Sequence, residues 1–507
     1  MKKTFVIFIL CLALALGTAA AAFLTFHEGR DQVTVTADVQ TGDPKAAKGL
    51  VATQSAHYGG QLLWNMTISL DKPEDTSTEY SVVENLPNSL DNLDQLSIQA
   101  GSPYIFHRRL GPEGVSLNDY FKDDGLLGDL YLAYVDFLGR VPNGETRTET
   151  IRMADYIDTY PFSLAVVRTD LVAPSTILSE SYDYLDLTFQ SFFSFPVPPK
   201  NEVDITITKD AEGNLQDFTE ENQVYSNIDL ISAYDGSTLF FSFGPGTDGQ
   251  LSFENTPGGF GIYRMAAPYN TENADKIVID FQPDTLENAH PLPEGSVVLD
   301  LNLTPDNSTL LVTYGLEGIT TLLVLDAETM TETQSLPVPT EFPMSATVYT
   351  KDAAGDPGSY LVYDWELRGF DDGSSLVGED FILLFGDENF YFYTLEEGAY
   401  QFRFSAPIEN HMAYAVSVPT AAAWDGDRLA IGTVDEYRDD KDPTGLELSV
   451  YDKTGQLRYS AEYETSLNEL ASELAEYEDD KLDTSDIAPY FGYIQLLPGH
   501  ELTLSWT

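Results

Sequence analysis

The chain is predicted to be an all-β protein built of small, repeated antiparallel sheets. Short apolar runs with strand periodicity recur along most of its 507 residues, and tight-turn residues cut those runs. Aromatics are plentiful too, with 29 Tyr and 28 Phe. Alternating apolar and polar residues mark a strand with one covered face. Aromatic side chains suit a pleated, half-buried surface. Hydrophobic content is 43%, which is globular rather than disordered.

The clearest unit lies between residues 297 and 338. Val297, Leu299, Leu301 and Leu303 alternate with Val298, Asp300, Asn302 and Thr304, as a strand requires. Pro305-Asp306-Asn307-Ser308 is a turn, because Pro presets φ and Asp and Asn tolerate tight geometry. Leu310, Val312 and Tyr314 belong to a second strand, and Gly315 to Gly318 is expected to turn the chain again. ITTLLVLD is a third strand ending at Asp326, and Ala327-Glu328-Thr329 leads to a fourth, TETQSLPV. Four such strands make one small antiparallel sheet.

The pattern recurs. AWDGDRLAIGTV (423–434) and GLELSVYDKTGQLRYSAEYE (445–464) repeat it, with Asp452 following Val450-Tyr451 as Asp326 follows Val324-Leu325. LYLAYVDFLGRVPNGETRTETIRM (130–153) is read as another copy, with Asp136 in that place. Asp136 to Asp326 is 190 residues and Asp326 to Asp452 is 126, three and two units of about 63. Weaker copies fill 163–207, 226–244 and 361–405. Two strand pairs complete the count, one near each end: GQLLWNMTISL with STEYSVV, and PYFGYIQLLPGHELTLSW.

Over about residues 57–507 this organisation resembles the β-propeller superfamily, in particular the divergent propellers of exported bacterial proteins. The resemblance implies about seven radial blades of four strands, the ring closed by N- and C-terminal strands. Trp424-Asp425, the one Trp-Asp pair, stands at the start of a turn rather than at the end of a third strand, so the WD-repeat signature is absent. One such sheet cannot cover both of its own faces; neighbours in a ring cover them for it. Tandem β-sandwich domains are the alternative fold. TSLNELASELAEYEDDKL (465–482) breaks the rhythm and is predicted to be a helical insertion. Ser466 and Glu469 form a capping box, and Leu467, Leu470, Leu474 and Tyr477 share one face.

At the N-terminus, Lys2 and Lys3 precede about 23 uncharged residues, TFVIFILCLALALGTAAAAFLTF. Residues 1–27 are therefore either a membrane anchor, long enough to span a bilayer, or a signal peptide cleaved at Ala19–Ala22. Both readings place the body outside the cytoplasm, at the cell membrane or secreted. Residues 28–56 are read as an extracytoplasmic linker, with VTVTADV (33–39) a short strand within it.

Charge excludes some partners. The chain has 26 Lys and Arg against 82 Asp and Glu, a net −56, which repels nucleic acid and anionic lipid and favours cations and basic partners. Cys11 is the only cysteine, so the body has no disulfide and no thiol chemistry. No GxSxG, HExxH, Walker A or SxxK motif is present, and His27, His57, His107, His290, His411 and His500 are scattered. No catalytic, cofactor-binding or metal-ligating residue is singled out. Calcium would be sought first at Asp435, Glu436, Asp439, Asp440 and Asp442, at Asp371-Asp372 and at Asp123-Asp124. All three groups are read first as solvated turns, since Asp-Gly is a turn signal in its own right. FQSFFSFPVPP (189–199) is read as a buried strand with a Pro-rich exit, or else a carbohydrate platform. The expected function is a monomeric binding module at the cell surface, held to the membrane only through its N-terminal segment. Its expected partner is a cell-envelope protein or ligand. The alternative is an enzyme acting on polysaccharide with carboxylates in a central funnel.

Overall fold

The computed structural model describes residues 30–58, 62–83, 96–101, 136–152, 155, 159–160, 163–168, 195–196, 202–221, 230–243, 258–270, 278–293, 296–339, 346–349, 360–363, 375–386, 389–407, 419–434, 445–467, 494–496 and 502–507. The chain divides into two compact units. One holds residues 1–89, 170–176 and 406–507, the other residues 90–169 and 177–405.

In the second unit the described residues form four main antiparallel sheets. A three-stranded sheet orders Leu215–Glu221, Glu202–Lys209 and Thr146–Arg152. A four-stranded sheet follows: Leu230–Tyr234, Thr238–Phe243, Gly261–Ala266, Glu287–Pro291. The next is Val297–Leu303, Thr309–Leu316, Ile319–Asp326, Glu332–Pro337, and the last Ser375–Val377, Phe381–Phe385, Asn389–Glu396, Ala399–Pro407. Each four-stranded sheet is a meander whose spatial order is its sequence order. Short two-stranded pairs accompany them, among them Leu96–Gly101 with Ser163–Arg168.

The sheet from 297 to 337 shows why the pattern repeats. Leu310, Val312, Leu323 and Leu325 point into the core shared with the preceding sheets, which supply Ile205, Phe240, Ile262 and Met265. Their alternating neighbours Leu311, Leu322 and Val324 join Ile382, Leu384, Tyr391 and Tyr393 of the following sheet. Both faces are covered, each by a different neighbour, as period-two alternation with apolar residues at both parities demands. Polar clamps align the layers. Asn302 Nδ2 donates to Ser375 Oγ at 2.8 Å between first strands. Gln334 donates to the Tyr400 carbonyl at 2.6 Å and accepts its amide at 2.9 Å between fourth strands. First strand thus lies beside first strand, and fourth beside fourth.

The predicted turn at 305–308 is present, with Asn307 at φ 57. The next turn is tighter than expected. Leu316 pairs directly with Ile319, leaving Glu317 and Gly318 as a two-residue loop at φ 49 and 80. Such loops need positive φ at both central positions. Gly315 is not in the turn: it pairs with both Val297 and Thr320 inside the sheet.

In the first unit, Leu50–Tyr58 pairs with Leu62–Ser69 on one side and with Ile494–Leu496 and Thr503–Trp506 on the other, and Ser77–Val82 completes the sheet. Strands from the two ends of the body therefore share one sheet, Leu50 standing opposite Trp506. A second, five-stranded sheet orders Val35–Gly42, Leu457–Thr465, Leu446–Asp452, Arg428–Val434 and Pro419–Trp424. The two sheets bury a common core that includes Leu50, Trp64, Met66, Val450, Tyr459, Tyr463 and Leu504.

Two expectations are corrected. Residues 28–56 are not a linker over their described part, because Val35–Gly42 is the outer strand of the five-stranded sheet and Leu50–Tyr58 is central to the other. Asp136 does not close a strand; it lies in a helical turn, described over 136–140, in which Arg140 bonds Asp136 at 3.1 Å and grips Glu149 at 2.6 and 2.7 Å. The 63-residue spacing thus loses its first anchor. Residues 1–27 and the predicted helix beyond Leu467 lie outside the described residues. Among those described, no helix is long and apolar enough to cross a membrane.

Candidate functional site

The recurrent chemistry among the described residues is a turn aspartate at an end of several of the sheets. Asp306 accepts from the Ser308 amide at 3.1 Å and from the Thr304 hydroxyl at 2.7 Å. Asp326 accepts from the Thr329 amide and hydroxyl at 2.8 and 2.7 Å. The Ala327 amide bonds the Ser308 carbonyl at 3.0 Å, so both turns lie at the same end of their sheet. Asp235 holds the amides of Ser237 and Thr238 at 2.7 and 2.6 Å, and Asp425 those of Asp427 and Arg428 at 2.9 and 2.7 Å. Asp452 accepts from the Thr454 amide at 2.8 Å and from Arg458 Nε at 2.7 Å. A short acidic side chain two or three residues ahead of an amide is suited to this task.

These bonds fix the charge state. The Thr304 hydroxyl first, then Ser308, hold Asp306 below the usual carboxylate range, and Thr329 does the same to Asp326. Burial works to raise Asp452, but Thr454, Arg458 and the Gln456 amide outweigh it and bring it to about 2. Burial likewise opposes the lowering of Asp425, where the amides of Asp427 and Arg428 prevail. Asp306, Asp326, Asp425 and Asp452 are therefore anions at neutral pH. They are poorly matched to acid–base catalysis, which wants a pKa near the working pH.

Carboxylates on adjacent sheets both act electrostatically on Tyr400. Burial pushes its phenol up, and the charges of Asp306, on one sheet, and Asp380, on the next, push it further. Gln334 holds the Tyr400 backbone in place. This end of the second unit joins fixed negative charge to a phenol, an arrangement that suits a cation or a basic group. Sequence reading missed it because its members are separated by the length of a whole sheet. Gly378-Glu379-Asp380, which occupies the place of the 305–308 turn, was the available signal.

The candidate calcium groups at 435–442, 371–372 and 123–124 lie outside the described residues, as do His27, His107, His411 and His500. Of the aromatic run 189–199, only Phe195–Pro196 is described, paired with Thr159–Tyr160. His290 Nδ1 lies 3.2 Å from the Met330 carbonyl. His57 is buried in the sheet that joins the chain ends, with no hydrogen-bond partner at either ring nitrogen among the described residues. Among the described residues no group of three or more His, Cys, Asp or Glu is placed to hold a metal.

No family model matches the chain, and no curated protein matches it. Among solved structures it is similar to the β-propeller domain of Swd1 from Myceliophteria thermophila, at 9% identity over 62% of this chain and 86% of that one, TM-score 0.23. It is also similar to TolB from Acinetobacter baumannii, at 12% identity over 90% and 82%, TM-score 0.19. A protein from Lactobacillus plantarum is similar at 11% identity over 82% and 95%, TM-score 0.27. At these TM-scores the likenesses carry no argument, and the all-β, multi-sheet architecture rests on the sheets themselves.

Proposed function

We propose that the chain is an extracytoplasmic β-propeller of about seven blades, membrane-tethered or secreted, that binds a cell-envelope partner at the cell surface. The observation that carries the propeller reading is the shared sheet, in which Leu50–Tyr58 pairs with Thr503–Trp506, together with face-to-face four-stranded meanders whose first strands adjoin. Ring closure explains why the last strand returns to the start of the body. The binding reading follows from the turn ends. Their aspartates are occupied by backbone amides, yet they keep a negative charge that a basic ligand can read. Loops on a rigid scaffold are the usual seat of recognition.

Electron microscopy of the whole chain tests the ring: seven-fold pseudo-symmetry is expected, and separate sandwiches refute it. Binding is tested by titrating a lysine-rich peptide and a neutral polysaccharide in turn. Saturable, salt-sensitive binding of the peptide is expected. Turnover of the polysaccharide would favour the rival reading, an enzyme acting on cell-surface polymer.

A further inference from the structure

The body begins sooner after the apolar N-terminus than its composition suggests. Trp64, fully buried, donates its indole N–H to the Arg30 carbonyl at 2.9 Å. Val33 packs on the core of the first unit. Thr34 and Ser466 exchange two bonds, each of 2.9 Å, from the Thr34 amide to Ser466 Oγ and from the Ser466 amide to the Thr34 carbonyl. From Val35 the chain is a paired strand. The apolar run ends at Phe26, so only residues 27–29 separate it from a backbone already fastened to the fold.

Those residues reach at most about 10 Å. The headgroup layer on each side of a bilayer is about 5–8 Å deep. We propose that the first unit rests directly on the membrane surface, with the Arg30 end of its sheets against the lipid headgroups. The proposal rests on reading residues 1–27 as an uncleaved anchor. Val35, Thr465, Val434 and Leu446 lie at that end by register, while Gly42 and the turn after Asp452 lie at the other, about 25 Å away. With a net charge of −56, attraction to anionic lipid does not hold the body there. The short connection alone does.

The test uses the full chain in proteoliposomes, with Cys11→Ala removing the native thiol. One fluorophore is placed at Thr36→Cys, near the Arg30 end, or at Lys453→Cys, at the far end; both sites are exposed. A quencher is attached to the lipid headgroups, and flotation reports whether the chain is anchored. Quenching several-fold stronger at position 36 than at 453 is expected. That contrast should vanish when a 20-residue Gly-Ser spacer, about 25 Å in root-mean-square span, is inserted after Glu28. Equal quenching at both sites in floating protein overturns the seating and leaves the anchor intact. Failure to float, with residues 1–27 lost, overturns the anchor itself and the seating with it.

Discussion

Acidification should strike the sheet that joins the chain ends, through His57. This side chain is 2% exposed, Leu63 stands directly across from it, and neither ring nitrogen has a partner among the described residues. Burial lowers its pKa from 6.5 to about 4. The folded state therefore binds its proton less readily than the unfolded chain. Stability is whole above about pH 6.5 and falls as the pH drops toward the folded value of about 4. At about 1.4 kcal/mol per pKa unit, His57 should cost about 2 kcal/mol at pH 5 and about 3 kcal/mol at pH 4, relative to neutral pH. Other groups titrate in the same range, so the comparison is with His57→Leu, which keeps a buried apolar side chain and removes the titration. Urea unfolding followed by tryptophan fluorescence reads the right region, because Trp64 is buried in the same sheet. The unfolding free energy of the variant minus that of the wild type should rise by about 3 kcal/mol between pH 7 and pH 4. A difference that stays flat with pH would refute the reasoning, whatever its absolute value.

Arg428→Ala should destabilise the first unit by about 2–4 kcal/mol in the same assay, since it removes charge-assisted bonds and leaves carbonyls unpaired. The guanidinium bonds the Ala46 and Lys48 carbonyls at 2.9 and 3.1 Å, pairs with Asp425, and lies 3.9 Å over the Trp506 ring. Arg428→Lys should recover only part of this, because an ammonium cannot reproduce the planar fork. Gly42→Ala should cost about 1 kcal/mol or more, since Gly42 has φ 86 and an added Cβ would meet the Arg458 backbone carbonyl; a melting temperature equal to wild type would contradict this. Deleting residues 502–507 should abolish cooperative unfolding of the first unit, because loss of the strand Thr503–Trp506 would leave one flank of Leu50–Thr53 unpaired. Circular dichroism melts of the truncated chain decide it.

Turns and strand faces were the legible part of the fold. Asp306 and Asp326 fall where their side chains cap amides, and the third strand, Ile319–Asp326, runs as read. Gly315 misled because a glycine inside a strand has the same letter as one in a turn; only its partners, Val297 and Thr320, place it. Val35–Gly42 overlaps the short strand expected at 33–39, but its place in a linker rather than in the body has a physical reason. As an outer strand it buries Val35 and leaves most of its other side chains in water, so its composition is that of a linker. Asp136 departs from the strand-end expectation because Arg140, four positions on, pairs with it and favours a helical turn. The influence of Asp306 and Asp380 on Tyr400 could not be read from local sequence, since it arises only when two sheets stack.

The pairing of Leu50–Tyr58 with Thr503–Trp506 also sets an order of events during synthesis. Strands made early must wait, with one flank open, for Thr503–Trp506 to leave the ribosome. Contacts so distant along the chain are slow to form, and an unpaired flank is prone to bind other nascent chains in the meantime. A body of this kind becomes whole only once that late strand has emerged and paired, so its need for protective chaperones should be greatest late in its synthesis.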